Sequence, residues 1–218
     1  MECKMHRGNI MDNRIRIATF SGLRGSGKTV VIMSVLEELG NSERIGVILN
    51  NVASLETVTS KHDVKAVSFP LTAPCGRARQ FSGTLEKFIA NNDLDLIITE
   101  TTGTCEETSA PLLNPLVAFH KDDMIISPLF NVIDGRTIRD GMDKKTTAGL
   151  KKWQQVDESD VVVITFSEGM DEKEKTAAVQ TIRDINPDCR ILFYDRNGIS
   201  NIVQEMFSET GYKRAFEN

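Results

Sequence analysis

The sequence predicts an α/β protein with a doubly wound, mostly parallel sheet. Three observations carry that prediction. Short β-branched apolar runs alternate with longer stretches of helical pattern, as parallel strands joined by crossover helices require. The first run leads straight into a glycine-rich turn and a helix. Each later run ends in polar or glycine residues, and in such sheets those loops gather beyond the carboxyl ends of the strands, where ligands bind.

The glycine-rich turn is Ser21-Gly22-Leu23-Arg24-Gly25-Ser26-Gly27-Lys28-Thr29, which fits Gly-x-x-x-x-Gly-Lys-Ser/Thr. Its glycines let the backbone bend so that successive N–H groups point inward, and the helix that follows adds its positive end. Lys28 is expected to reach the β- and γ-phosphates and Thr29 to ligate Mg²⁺. Arg16 to Phe20 reads as the preceding strand. Val30 to Leu39 reads as the following helix, closed by Gly40, a residue suited to a helix end. A plain glycine turn would explain the glycines but not Lys28-Thr29 at this spacing. The reading is a P-loop NTPase, with Gly22, Arg24, Gly25, Ser26, Gly27, Lys28 and Thr29 binding nucleotide.

Residues 1–14 read as a flexible leader, in which Cys3 and His6 have the spacing of two metal ligands but fit a chance pairing in a tail better. Residues 15–218 read as a single nucleotide-binding domain. Arg44 to Leu49 is a buried strand that leaves through a polar loop, Asn50 to Ser54. Val64 to Phe69 is a short strand, and the loop from Pro70 to Arg79 holds Cys75, Arg77 and Arg79. A helix over Phe81–Asn91 leads to the strand Leu94–Thr99, which ends in Glu100-Thr101-Thr102-Gly103. An acid at that strand end is where such folds place the Mg²⁺-associated carboxylate, and Gly103 lets the backbone approach the γ-phosphate. Met124 to Ile133 reads as one strand closing at Asp134-Gly135, and Thr137 to Val156 as mostly helical. Asp160 to Thr165 is a strand opening into Phe166-Ser167-Glu168. A helix over Glu172–Ile185, the strand Arg190–Tyr194 and a helix near Ile199–Phe207 complete the order.

Of the 218 residues, 40% are hydrophobic and 26% charged, and the net charge is −5. That balance suits a soluble globular chain and disfavours a nucleic-acid partner. No apolar run reaches membrane-spanning length, so a cytoplasmic protein without a membrane partner is expected. Cys3, Cys75, Cys105 and Cys189 are then reduced thiols, open to use as core fillers, ligands or nucleophiles.

From residue 14 onward the chain resembles the CobW/HypB/UreG family of metal-insertion GTPases. The resemblance rests on Gly22 to Thr29, Val47-Ile48-Leu49-Asn50, Glu100-Thr101-Thr102-Gly103 as a Glu-x-x-Gly signature, and Ile185-Asn186-Pro187 before Arg190-Ile191. It implies a Mg²⁺-dependent nucleotide hydrolase, with GTP or ATP as substrate. Such a switch would act as a metallochaperone or activate a metalloenzyme or corrinoid protein client. The expected catalytic residues are Lys28, Thr29 and Glu100, and a homodimer across the nucleotide face is expected. The long C-terminal domain of CobW-type members has no counterpart here.

Three departures qualify the resemblance. The family's Cys-x-Cys-Cys motif survives only as Cys75; with Cys105 it would give four thiolates across a two-fold dimer, a transition-metal site for Zn²⁺, Ni²⁺ or Co²⁺. The alternative is two unrelated, partly buried cysteines. The base-reading Asn-Lys-x-Asp is replaced by Thr165-Phe166-Ser167-Glu168, in which Phe166 would stack on the base and Glu168 would accept from guanine; both also read as ordinary strand-end residues. Asn51 stands where the family has an acid, so slow or partner-dependent hydrolysis follows, with Glu56 further along the same loop as a substitute or a solvated acid. Two other functions stay open: a nucleotide-binding assembly module with little hydrolysis, and a small-molecule kinase clamping its acceptor with Arg77 and Arg79.

Overall fold

Strand β1 (Ile15–Ser21) lies at the middle of the sheet, flanked on one side by β4 (Leu96–Glu100) and on the other by β5 (Met124–Ile126) and β6 (Phe130–Asp134). The computed structural model describes residues 14–40, 42–50, 52–69, 78–101, 112–120, 122–195 and 198–208. With β2 (Ile45–Leu49), β3 (Lys65–Ser68), β7 (Val161–Thr165) and β8 (Arg190–Phe193), the strand order is β3-β2-β4-β1-β6-β7-β8, and β5 also pairs with β1. Every described pairing is parallel, so the sheet is more uniform than the mostly parallel one expected.

Parallel strands are covered on both faces, and the side-chain period of two sorts these residues between two helix layers. On one face Ala18, Phe20, Val47, Ile98, Val132 and Val163 pack beneath α1 (Lys28–Leu39) and α8 (Ile199–Met206), with Val58 of α2 (Val52–Thr59). On the other face Ile17, Ile48 and Ile97 meet Phe81 and Leu85 of α3 (Ala78–Ala90) and Leu116 of α4 (Asn114–His120). Further along that face Ile133, Val162 and Ile164 meet α6 (Thr147–Asp157) and α7 (Glu172–Ile185) through Val156, Ala178 and Ile182. The Phe20 and Phe130 rings stack at 4.9 Å between β1 and β6, just below the phosphate loop.

Several element boundaries differ from the sequence reading. The run Met124–Ile133 is two strands: Ser127 N–H still donates to Ile17 O at 2.9 Å, and the chain leaves β1 at Pro128-Leu129, where Pro128 has no N–H to give the ladder. The Asp160 carboxylate accepts the Leu129 N–H instead, at 2.7 Å. The polar loop expected over Asn50–Ser54 turns into α2 from Val52, because Leu55 and Val58 share an apolar side and the Thr57 and Thr59 hydroxyls bond back one turn. Helix α1 begins at Lys28, two residues earlier than its apolar run, with Val31 N–H donating to Gly27 O at 3.0 Å.

The stretch Thr137–Val156 is broken into a short α5 (Ile138–Gly141) and α6. Thr146 caps α6 by accepting the Gly149 N–H, and any Cβ at Gly149 would stand 2.1 Å from Asp143 O. Asn186 is buried and stitches the sheet base: its Nδ2 donates to Val156 O at 2.9 Å and Ser159 O at 2.8 Å. That is the structural work of the Asn-Pro placement. No described helix is long and apolar enough to cross a membrane.

Candidate functional site: a phosphate loop over a buried Lys–Glu pair

The loop Gly22–Gly27 leaves β1 and delivers the chain into α1. Gly22 has φ +134°, and a Cβ there would lie 2.2 Å from Val132 O. Gly25 (φ +84°) and Gly27 (φ +91°) also take conformations that L side chains rarely adopt. The Thr165 hydroxyl at the end of β7 lies 2.7 Å from Ser26 O and 3.1 Å from Ile133 O, so it ties the loop to the neighbouring strand. Sequence reasoning placed Thr165 in the base-reading stretch. Its structural role is to anchor the phosphate loop.

Register then brings the acid to the loop. Phe20 pairs with Glu100, and Thr101 N–H donates to Phe20 O at 3.0 Å. Lys28 and Glu100 are both buried, with Lys28 Nζ 4.0 Å from Glu100 Oε1. The ammonium donates to Gly22 O at 2.7 Å and Leu23 O at 3.1 Å. Burial lowers the Lys28 pKa, opposed by the Glu100 charge; burial raises that of Glu100, opposed by Lys28. Desolvation outweighs attraction for both groups, so each is held in a setting that disfavours its charge.

Two buried oxygens at this pair have no hydrogen-bond partner among the described residues: Glu100 Oε2 and Thr101 Oγ1. Buried polar groups are normally satisfied, and leaving one unmet costs about 1–3 kcal/mol. The Thr29 hydroxyl lies 3.2 Å from Ser54 Oγ of α2, so the helix that replaced the expected loop contributes a second hydroxyl here. Glu56 is exposed on the same helix. Arg24 is exposed at the loop tip.

The far end is different. Phe166 has φ +53° and is 43% exposed, and the Arg136 guanidinium covers its ring at 4.1 Å from the centroid. Arg136 donates from Nε (2.9 Å) and Nη2 (2.7 Å) to the Asp134 carboxylate and holds that carboxyl below its ordinary pKa. Glu168 is exposed. Phe166 and Glu168 line a groove of about 1020 Å³ with Arg136, Ile138 and the start of α7, and no phosphate-loop residue is among its walls. The structure thus brings together Lys28, Thr29 and Glu100, and separately Phe166 and Glu168. Gly103, Asn51, Cys75, Cys105, Arg77 and the leader with Cys3 and His6 lie outside the described residues. Among the described residues no group of three or more His, Cys, Asp or Glu could hold a metal ion.

A parallel sheet, a glycine-bent loop between its central strand and a helix, and a lysine buried against an acid at the adjacent strand end define a phosphate-loop nucleotide-binding protein. The chain belongs to the CobW/HypB/UreG family, whose nucleotide-binding domain matches residues 16–193. No curated protein matches it. Among solved structures it is similar to the hydrogenase maturation factor HypB from Archaeoglobus fulgidus (22% identity, 88% of each chain covered, TM-score 0.59). HypB from Helicobacter pylori in complex with nickel gives 15% identity, 88% of this chain, 85% of that chain and a TM-score of 0.62. The Zn(II)-bound YjiA GTPase from E. coli gives 19% identity, 91% of this chain and a TM-score of 0.59, and the match spans 64% of its length. These likenesses show a shared fold.

Proposed function

We propose that the chain is a Mg²⁺-dependent nucleotide hydrolase, with GTP as substrate, that works in the cytoplasm as a metallochaperone-like or client-activating switch. One observation supports this reading above the rest: Lys28 and Glu100 are buried together beneath the loop with Glu100 Oε2 unpartnered. A buried pair that desolvation disfavours, beside orphaned oxygens, fits a polyphosphate and a hard cation. Phosphate oxygens accept from Lys28 and the loop N–H groups, and Thr29 with Glu100 hold Mg²⁺ through oxygen atoms alone. The bound ion supplies charge compensation across the β- and γ-phosphates. Lys28 must then give up its contacts with Gly22 O and Leu23 O and turn toward the phosphate.

The transferred metal is cargo. Relatives of known structure are described as bound to nickel or zinc, and in this chain Cys75 and Cys105 of two copies are the residues we assign to Zn²⁺, Ni²⁺ or Co²⁺. A second reading, binding with little hydrolysis, is favoured by Asn51 standing where the family has an acid, with Glu56 further along exposed.

Calorimetric titration with GTP and ATP in Mg²⁺, with and without Zn²⁺, Ni²⁺ or Co²⁺, and parallel assay of phosphate release, tests the proposal. GTP-selective binding with metal-stimulated hydrolysis or dimerisation supports it. Binding without turnover under every condition, client present, would establish the second reading.

A further inference from the structure

A second cavity, of about 280 Å³, lies against the phosphate loop on its α6 side. Leu23 to Ser26 of the loop, Asn131 and Asp134 of β6, and Lys152 and Gln155 of α6 are among its described walls, whereas Gly27, Lys28, Thr29 and Glu100 are not. The cavity thus shares the loop segment Leu23–Ser26 with the phosphate cradle but not the Lys28–Glu100 pair. We propose that the cavity binds a small organic anion that also carries an O–H or N–H donor, and that its occupancy is coupled to nucleotide binding.

Asn131 supplies the first reason. Phe130 and Val132 pack on the α1 side of the sheet and Ile133 on the α6 side, so alternation sets Asn131 on the α6 side, facing the cavity. The residue is 1% exposed in a strand whose other buried residues, Phe130, Val132 and Ile133, are apolar, and among the described residues its Oδ1 has no partner. Ser26 Oγ, also a wall residue, is the second unpartnered buried oxygen. A ligand that donates to Asn131 Oδ1 removes the penalty of an unmet buried acceptor.

Lys152 supplies the second. Its ammonium donates to Thr137 Oγ1 at 2.9 Å and lies 3.4 Å from Thr137 O, so the oxygens at bonding distance are neutral. Asp134 is near enough to favour the charge, but both its oxygens are bonded to Arg136. Desolvation disfavours the ammonium despite Asp134. An anion at this point adds to the opposite charge that Asp134, shared with Arg136, supplies only in part. Leu23 and Ile133 give the rest of the ligand an apolar wall. Because loop residues form one side of the cavity and Thr165 fixes Ser26 O, filling it restrains the same backbone that must accept phosphate. Such coupling is reciprocal.

The first arm of the test uses the full chain without nucleotide, so it does not depend on the nucleotide's identity. L-lactate and glycolate, which pair a carboxylate with an O–H donor, are titrated by calorimetry beside propionate (no donor) and propane-1,2-diol (no charge). At least one of the two donors-with-carboxylate is expected to bind with a dissociation constant on the order of 1 mM, and each control about tenfold more weakly. Lys152→Met and Asn131→Leu are each expected to abolish that binding. Lys152→Met should keep wild-type affinity for a fluorescent GDP, whereas saturating the wild-type cavity should shift that affinity about fivefold. Absence of binding by both lactate and glycolate, equal binding by the controls, unchanged binding in Lys152→Met, or simple competition with GDP for the cradle would each overturn the proposal.

Discussion

The two ends of the candidate nucleotide cleft are held by different physics. At the phosphate end, backbone geometry and buried charge fix the site: three glycines at positive φ, a lysine and an acid under 10% exposed, and orphaned oxygens around them. At the base end the expected residues are on the surface, and one arginine stacked on one phenylalanine sets their arrangement. The first end is over-determined by the fold. The second is adjustable, since exposed side chains there can change without disturbing the core. A nucleotide site built this way preserves its chemistry and leaves its selectivity free to vary.

The largest effect that would break this contrast is at Gly22. With φ +134° and Val132 O only 2.2 Å from a Cβ, Gly22→Ala is expected to destabilise the chain by about 3 kcal/mol or more, measured by denaturant unfolding. Gly25→Ala meets nothing within 4 Å and pays only for its φ of +84°, about 1 kcal/mol. Equal costs at the two positions would show that the loop is not set by the close approach of β6. Next comes Lys28→Ala, expected to weaken Mg²⁺–GTP binding about 100-fold, since it removes a charge-assisted contact from a desolvated site. Unchanged affinity and turnover would collapse the nucleotide reading altogether.

Much of the fold and half of the site could be read from the sequence, for a physical reason. Parallel strands buried on both faces give unbroken apolar runs, so β2, β4 and β7 were plain, and Gly-x-x-x-x-Gly-Lys-Thr encodes its function in backbone geometry. What escaped depended on neighbours distant in sequence. The break at Ser127–Leu129 depends on the Asp160 carboxylate, α2 depends on Val58 reaching the core, and nothing around Thr165 in the sequence marks its bond to Ser26 O across the sheet. The polar Asn131 inside Phe130-Asn131-Val132-Ile133 was a visible signal: a lone amide in a buried strand marks something it must bond to.

Glu100 sharpens the comparison through pH. Its folded pKa is raised above the unfolded carboxylate value, so the folded state holds the proton more tightly. In the nucleotide-free protein this group's contribution to stability is greatest below the unfolded pKa and is lost as pH rises through the raised folded value. Unfolding free energies from about pH 4.5 upward should show that falling component in the wild type, and Glu100→Gln should remove it. Glu100→Gln should also cut Mg²⁺-dependent turnover about 100-fold. A falling slope that survives in Glu100→Gln would invert the contrast.

The smallest effect lies at Phe166, where two consequences of one substitution oppose each other. Phe166→Gly relieves a positive φ that costs a non-glycine residue about 1 kcal/mol, but it removes the ring beneath Arg136, a contact of about 0.5–1 kcal/mol. Stability is expected to stay within about 0.5 kcal/mol of wild type. Nucleotide binding has no such compensation: losing an aromatic platform costs at least about 1 kcal/mol per stacked base, a fivefold or greater weakening that GTP and ATP should share, because every base has a π-face. Only Glu168→Gln should separate them, by weakening GTP alone. If Phe166→Gly leaves both affinities intact, the strained ring serves the groove beside α7 and the base lies elsewhere along the strand ends; the phosphate end, resting on Lys28 and Glu100, would stand unchanged.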